Sequence, residues 1–120
     1  MSDGRRPLEG IRVLELASIV AGPFCDALMA EFGAEVIKTE LPGRGDDVRR
    51  MGPGEGDCGY WWAVENRNKR VMTLDLHHPR GQAIVRQLVP ICDVVVENFR
   101  PGTLERWNLG WDELSRINPR

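Results

Sequence analysis

The strand-turn-helix pattern near the start of the chain constrains the fold more than any other feature. Residues 11–17 (Ile-Arg-Val-Leu-Glu-Leu-Ala) have the alternation of a mostly buried strand. A short turn with one glycine follows, and Pro23 suits the first turn of a helix, where its missing N–H costs nothing. Ligands of open α/β sheets bind just past the carboxyl ends of the strands. The pattern therefore predicts that this turn forms one wall of a ligand site.

The same alternation continues along the chain. Further strands are predicted at residues 34–40, 71–76 and 92–97, and helices at 23–32, 79–90, around 104–107 and at 111–117. Strands that alternate with helices favour a parallel sheet with right-handed crossovers. We therefore predict an α/β fold, a Rossmann-like half domain whose parallel sheet has an incomplete strand order. The valine run at 94–96 predicts a central place in that sheet for the fourth strand.

Apolar periodicity also predicts which helix faces are buried. In the first helix, Phe24, Leu28 and Phe32 recur every four residues, which predicts an inward stripe, and Gly33 ends the helix. In the second helix the predicted inward positions are Ile84, Val85 and Leu88.

The segment 41–69 has no sustained period. It contains six glycines and two prolines, and a stretch of this length is usually functional or mobile. Within it, residues 60–65 predict a helical turn that buries the aromatic trio Tyr60-Trp61-Trp62. The adjacent acids Asp46 and Asp47 are interpreted as a solvated pair.

Length, charge and cysteine usage exclude several classes of protein. With 120 residues, the chain is long enough for one small domain. A net charge of −2 gives no electrostatic basis for nucleic-acid binding, and the basic cluster at 67–70 is interpreted as a solvated face. The cysteines have no metal-ligand spacing, and Cys25 and Cys92, in apolar stretches, predict buried reduced thiols. The sequence has no apolar leader and no stretch of membrane-spanning length, so we expect a cytoplasmic protein with neither nucleic acid nor membrane as partner.

The residues that follow the four strands are expected to converge at one edge of the sheet. Small residues follow the first strand, Glu40 ends the second, two histidines follow the third, and residues 98–100 (Asn-Phe-Arg) follow the fourth. This mixture of small, aromatic, amide and cationic groups favours a nucleotide with phosphates. It offers no nucleophile paired with a base, since Ser18 has no partner histidine at a recognisable spacing.

Other kinds of site fit the sequence less well. Glu40 is placed like the ribose-binding acid of a dinucleotide fold, but the first turn lacks G-x-G-x-x-G, and Pro23 removes an N–H that a pyrophosphate would need. No P-loop motif occurs. The pair His77-His78 has no further ligand at metal spacing, so no metal site is predicted. Asp75 is predicted within a strand, which disfavours a phosphoacceptor role.

Seven stretches, taken in order, carry a resemblance to a known family. They are residues 7–15 (PLEGIRVLE), 21–23 (AGP), 33–38 (GAEVIK), 66–70 (NRNKR), 73–76 (TLDL), 93–102 (DVVVENFRPG) and 118–120 (NPR). On these motifs the chain resembles the N-terminal part of the family III CoA-transferases, a group that includes formyl-CoA transferase, carnitine CoA-transferase and the α-methylacyl-CoA racemases. By this resemblance, residues 1–120 form the N-terminal part of the large CoA-binding, Rossmann-like domain.

The resemblance implies coenzyme A or an acyl-CoA as substrate, with no tightly bound cofactor. The residues that it assigns to the CoA site are Val20, Ala21, Leu74, Asp75, Leu76, His77, Asn98, Phe99, Arg100 and Arg106. Residues 74–77 are the predicted backbone wall. Arg100 and Arg106 are the predicted phosphate contacts, because guanidinium groups bind phosphate in a bidentate manner.

The implied reaction moves CoA from an acyl-CoA donor to a carboxylic acid through an aspartyl-CoA thioester. The nucleophilic aspartate is expected beyond Arg120, so no catalytic residue is assigned in this chain, which is predicted to be inactive alone. The full-length protein is expected to be an interlocked homodimer.

Departures from the family pattern bear on specificity. Val20 and Leu41 stand where formyl-CoA transferase has a glutamine and an arginine, which disfavours formyl and oxalyl specificity. Two alternatives to a transferase stay open. One is a racemase of the α-methylacyl-CoA type, which the length of the 41–69 segment disfavours, and the other is a truncated, non-catalytic module that binds CoA or another nucleotide.

Overall fold

A parallel sheet of four strands organises the fold. The computed structural model describes residues 4–56 and 58–120, and its strands are β1 (Arg12–Glu15), β2 (Glu35–Glu40), β3 (Gly54–Glu55), β4 (Cys58–Gly59), β5 (Lys69–Thr73) and β6 (Val94–Val96). The order within the parallel sheet is β5-β2-β1-β6. The short strands β3 and β4 form an antiparallel pair inside the long segment. The predicted α/β fold with a parallel sheet is confirmed.

Helices connect the strands where the alternation predicted them. They are α1 (Ala21–Glu31), α2 (Tyr60–Glu65), α3 (Pro79–Leu88), α4 (Thr103–Arg106) and α5 (Trp111–Ile117), with short 3₁₀ turns at Asp47–Arg50 and Val89–Ile91. Local sequence explains the ends of two of them. Pro79 lies in the first turn of α3, and Gly33 follows α1 with φ +105°, the left-handed conformation that a glycine after a helix adopts readily.

Two hydrophobic clusters lie on opposite faces of the sheet. On one face, Leu14 and Leu76 pack with Val85 of α3, and the cluster continues to α4 and α5. On the other face, Val13 and Val36 pack against Ala30 of α1. This two-sided burial is expected of a parallel sheet and fixes the position of the strand ends that form the site.

The fourth strand of the parallel sheet lies at an edge, so the prediction of a central position was wrong. β6 pairs with β1 on one side only among the described residues, and Val94, Val95 and Val96 are each half-buried. The third predicted strand is also displaced, since β5 ends at Thr73. Asp75 therefore follows the strand and does not lie within it. Residues that follow a strand belong to the ligand edge of the sheet.

The apolar stripe of α1 faces outward, in contrast to the prediction. Phe24 and Phe32 are 51% and 53% exposed, and Leu28 is exposed as well. The buried face carries Ala27 and Ala30 together with the acidic residue Asp26. Small side chains let the helix approach the sheet closely, which leaves the large ones on the opposite face.

Three further burial predictions were wrong. Ile84, Cys25 and the first two aromatics of α2, Tyr60 and Trp61, are exposed. The predicted helical turn itself is present, and Cys92 is buried as predicted. Sequence periodicity thus identified the apolar faces correctly. It did not reveal which of these faces are buried by the described residues.

Candidate functional site

A cavity lies where the four parallel strands end. Its volume is ≈ 320 Å³, and we call it the mouth cavity. Residues that follow β1, β2 and β5 line it, together with two aromatics from the segment after β6. They include Leu16, Ala17, Ser18, Thr39, Leu41, Leu74, Leu76, His77, Phe99 and Trp107. The expected convergence of strand-end residues is therefore present in the fold.

Four of the ten predicted site residues line the mouth cavity. Leu74, Leu76 and His77 form the wall after β5, and Phe99 lies opposite. Trp107, which the sequence argument did not assign to the site, links these two sides. Its ring makes edge contacts with the imidazole of His77 and the ring of Phe99, with centroids 4.7 Å and 5.2 Å away.

Two other predicted residues position the cavity wall without lining it. Asn98 holds the turn after β1 through both backbone polar groups of Ser18, because its Oδ1 accepts from Ser18 N at 2.9 Å and its Nδ2 donates to Ser18 O at 2.8 Å. Asp75 accepts from the backbone N–H of His77 at 2.9 Å and faces its Nδ1 at 3.1 Å. The backbone hydrogen bond from His77, followed by the contact with its ring, lowers the pKa of Asp75.

The remaining four predicted residues lie outside the lining. Val20 and Ala21 are exposed at the start of α1. Arg106 is exposed, and its Nη2 donates to Thr103 Oγ1 at 3.1 Å. Arg100 lines a different cavity of ≈ 470 Å³ along the unpaired edge of β6.

Buried charges beneath the mouth cavity are the main feature that the sequence reasoning missed. The Lys38 ammonium is fully buried and donates to Glu15 Oε1 at 2.7 Å, Asp46 Oδ2 at 2.9 Å and Ala17 O at 3.2 Å. The Lys69 ammonium, also fully buried, donates to Glu15 Oε2 at 2.8 Å and to Pro23 O at 2.7 Å. The interpretation of Lys69 as part of a solvated face was wrong.

The alternation of residues along β2 indicates that Lys38 is buried. Val36, Lys38 and Glu40 alternate along β2, and all three are buried, so the lysine shares a face with an apolar residue. The register of the sheet pairs Glu15 with Lys38 directly across β1 and β2. Opposite charges at such positions attract one another, but the register is a property of the three-dimensional structure.

Asp46 is part of the same network, so its interpretation as half of a solvated pair was wrong. It is 4% exposed, and its Oδ1 accepts from Ile19 N and Val48 N at 3.1 Å each. Asp47, in contrast, is partly exposed and pairs with Arg44 and Arg50. The two adjacent acids therefore have different roles, one inside the sheet edge and one at the surface.

The network shifts the titration of its members. Burial lowers the pKa of Lys38, but the carboxylates of Glu15 and Asp46 outweigh burial and raise it overall. Burial lowers the pKa of Lys69, which Glu15 only partly offsets. Asp26, fully buried on α1, has no hydrogen-bond partner for either carboxylate oxygen within residues 4–56 and 58–120. Burial, and then the neighbouring Glu15, raise the pKa of Asp26 from 3.8 to about 7.

We expect Asp26→Asn to change the pH dependence of stability. The folded state binds a proton on Asp26 up to about pH 7, whereas the unfolded chain releases it near 3.8. The stability that this proton contributes is complete below the unfolded pKa and is lost as pH rises towards 7, by at most about 1.4 kcal/mol per pH unit. Asparagine does not titrate, so the variant gains stability relative to the native protein as pH rises from 4 to 7.

Urea unfolding at several pH values measures this difference. Asp112→Asn, which removes an exposed carboxylate at the start of α5, is the matched control for the substitution itself. A constant difference between Asp26→Asn and the native protein across this range would contradict the assignment.

Two kinds of feature are absent from residues 4–56 and 58–120. They contain no cluster of three or more histidine, cysteine, aspartate or glutamate side chains arranged to hold a metal ion. They also contain no helix that is both long and apolar enough to cross a membrane.

Comparison with known proteins gives a consistent family match. The model of CoA-transferase family III matches residues 8–120. The chain is 56% identical to succinyl-CoA–D-citramalate CoA-transferase of Chloroflexus aurantiacus, covering 95% of this chain and 29% of the relative. It is 44% identical to mouse (Mus musculus) succinyl-CoA:glutarate CoA-transferase, covering 98% and 27%. It is 40% identical to formyl-CoA:oxalate CoA-transferase of Afipia carboxidovorans, covering 96% and 27%. The chain thus spans less than a third of the length of these curated relatives.

Solved structures agree with the sequence match. A CAIB/BAIF family protein from Brucella suis superposes with a TM-score of 0.87 at 41% identity, covering 95% of this chain and 31% of that one. A hypothetical protein from Mycobacterium tuberculosis superposes with a TM-score of 0.85 at 38% identity, covering 96% and 31%. Both comparisons match nearly all of the described fold to part of a longer chain.

Proposed function

Since the chain belongs to CoA-transferase family III, we propose that the protein carrying it transfers CoA from an acyl-CoA donor to a carboxylic acid. The family match over residues 8–120 is the observation that supports this most strongly. In this proposal the chain forms the N-terminal part of a CoA-binding, Rossmann-like domain in a longer protein. The relatives are more than three times as long, so the rest of the site belongs to other segments.

The mouth cavity is the proposed position of the CoA molecule. Its lining combines apolar and aromatic residues with the charged residues Glu40, Arg44, Asp46 and Asp47, and Leu74, Leu76 and Phe99 are available to pack against the adenine or the pantetheine arm. Val20 and Ala21 are exposed at the start of α1, where the arm is proposed to pass. The mouth cavity lies at the carboxyl ends of parallel strands, which is the usual place for nucleotides to bind in open α/β sheets.

Arg100 and Arg106 are the proposed phosphate contacts. Both are exposed, and within residues 4–56 and 58–120 neither forms an ion pair with a carboxylate. Their charges are therefore available to a ligand. Arg106 is the last residue of α4, and its neighbour Trp107 lines the mouth cavity. Of the two arginines, Arg106 is therefore the better placed to contact a phosphate of CoA.

Succinyl-CoA is the proposed donor and a dicarboxylic acid the proposed acceptor. Relatives at 56% and 44% identity are named for transfer from succinyl-CoA to D-citramalate and to glutarate. The departures at Val20 and Leu41 point the same way, because they replace polar groups expected of a formyl-CoA transferase. Leu41 lines the mouth cavity, so an arginine at this position would change its charge.

The proposed mechanism uses a carboxylate nucleophile outside this chain. An aspartate beyond Arg120 attacks the thioester carbonyl and releases CoA as a thiolate. The thiolate then attacks the aspartyl carbonyl of the resulting mixed anhydride. This step releases the donor acid and leaves an aspartyl-CoA thioester, from which CoA passes to the acceptor. Covalent catalysis of this kind divides one difficult transfer into easier steps, and this chain binds and orients CoA. A cytoplasmic homodimer is the proposed form of the full-length protein.

The full-length product of the gene that encodes this chain should transfer CoA. We expect it to convert succinyl-CoA and D-citramalate, L-malate or glutarate into succinate and the acceptor's CoA thioester, detected by liquid chromatography and mass spectrometry. Formyl-CoA with oxalate is the comparison reaction and should be slower. Absence of transfer from several acyl-CoA donors to all of these acids would contradict the proposed function.

Replacing Arg106 should weaken binding only of ligands that carry phosphates. A lost charge-assisted hydrogen bond costs about 1.5–3 kcal/mol, so Arg106→Ala should raise the Kd of CoA roughly 10- to 100-fold by calorimetry. Binding of pantetheine, which has no phosphate, should be unchanged. Arg116→Ala, at an exposed arginine of α5, is the control. An unchanged Kd for CoA in Arg106→Ala would remove this residue from the site.

A further inference from the structure

The turn after β1 has an unusual backbone conformation beside the mouth cavity. Ile19 has φ +67°, in the left-handed region. This region is unfavourable for a β-branched residue, and such strain persists only where surrounding contacts impose it. The neighbouring residues Ala17 and Ser18 line the cavity. The conformation of this turn therefore determines the shape of one cavity wall.

Asp46 is one of the contacts that impose this conformation. Its two carboxylate oxygens accept from Ile19 N at 3.1 Å and 3.2 Å. Asp46 is itself fixed, because its own N–H donates to Glu40 Oε2 at 3.1 Å and its Oδ1 also accepts from Val48 N. Asn98 anchors Ser18, so the turn is held between the segments that follow β2 and β6.

Lys38 connects Asp46 to the centre of the sheet. An ammonium group has three protons to donate, and the three acceptors of Lys38 are Glu15, Asp46 and the carbonyl of Ala17. One of these acceptors lies in the turn segment itself, and a second, Asp46, holds Ile19. Asp46 lies at the wall of the mouth cavity. Because the side chains of Lys38 and Asp46 are only 0% and 1% exposed, their effect on a ligand acts through the turn.

We propose that Lys38 and Asp46 are positioning residues for acyl-CoA, which hold the turn at Ile19 in the conformation that forms the cavity wall. This inference rests on the proposed function, because it concerns the affinity for CoA. In the absence of these contacts Ile19 relaxes to a negative φ, and the backbone of Ala17 and Ser18 moves with it. The chemical step depends on groups elsewhere and is unaffected by that movement.

Asp46→Asn in the full-length protein tests the proposal. The substitution preserves size, but its amide nitrogen must face either Ile19 N–H or the Lys38 ammonium. We expect the KM for acyl-CoA and the Kd of CoA to rise about tenfold, as for one lost buried hydrogen bond, with kcat within about twofold of the native value. Hydrogen exchange at the Ile19 amide should be faster even without ligand.

Two further variants separate positioning from general stability. Ile19→Pro removes the N–H that donates to Asp46 and fixes φ near −65°. Because Ile19 is exposed, the substitution should raise the KM for acyl-CoA in the same way as Asp46→Asn. Adding Ile19→Gly to Asp46→Asn should recover much of the affinity, because glycine adopts positive φ readily. Glu35→Gln is the matched control, since it removes a carboxylate from an ion pair at the other end of β2 and should leave KM unchanged.

The outcomes are distinct for the inference and for the proposed function. If the native protein binds no CoA by calorimetry, the proposed function fails and the inference fails with it. If the native protein binds CoA but Asp46→Asn and Ile19→Pro bind it equally well, only the inference is overturned. If Asp46→Asn lowers the melting temperature but leaves the KM for acyl-CoA unchanged, the inference is also overturned, because Lys38 and Asp46 then have a purely structural role.

Discussion

The buried ion pair between Glu15 and Lys38 is the interaction on which the sheet edge and its cavity depend. The pair joins β1 to β2 in register at the centre of the sheet, with both side chains fully buried. Burying two charges is costly unless geometry and additional hydrogen bonds compensate, and removal of one partner from such a pair costs about 3–5 kcal/mol. Here every Lys38 proton has an acceptor, and Glu15 also accepts from Lys69. The strand ends are consequently fixed at the place where a ligand is expected to bind.

Charge balance explains why this network is compatible with burial. Lys38 and Lys69 supply two positive charges, and Glu15 and Asp46 supply two negative charges. A charged Asp26 would leave a net negative charge in the interior, and burial together with Glu15 raises its pKa to about 7. The protonated acid keeps the network neutral. Burial and the nearby Glu15, which the two lysines only partly offset, therefore keep the Asp26 carboxyl group mostly protonated below its pKa of about 7.

The sequence predicted the elements well because their periods depend on local properties. The bounds of α5 match the predicted helix, and the proline and glycine at the ends of α3 and α1 have their expected roles. The faces of α1 and β6 were predicted wrongly for a different reason. Periodicity reveals that a face is apolar but not which segment covers it, and the chain spans under a third of its relatives. Within residues 4–56 and 58–120, Phe24 stays exposed and no strand pairs with the outer edge of β6.

The site was predictable in part for the same physical reasons. His77 and Phe99 follow predicted strands, and strand ends converge in any parallel sheet, so their placement follows from order along the chain. Leu74 was predicted inside the third strand, and only the family resemblance assigned it to the site. The roles of Lys38 and Asp46 do not follow from that order, because they arise from the register between two strands and from a loop that returns beneath the first turn. Asp46 looked like half of an exposed pair, since neighbouring residues in a glycine-rich segment give no indication of burial.

A crystal structure of the full-length protein bound to CoA tests the central claim most directly. We expect CoA in the mouth cavity, between the turn at 18–21 and the wall at 74–77, with phosphate oxygens about 3 Å from the guanidinium of Arg106 or Arg100. Ile19 should keep its positive φ in that complex. CoA bound along the outer edge of β6, or elsewhere with the mouth cavity unfilled, would contradict the proposed position of the CoA site.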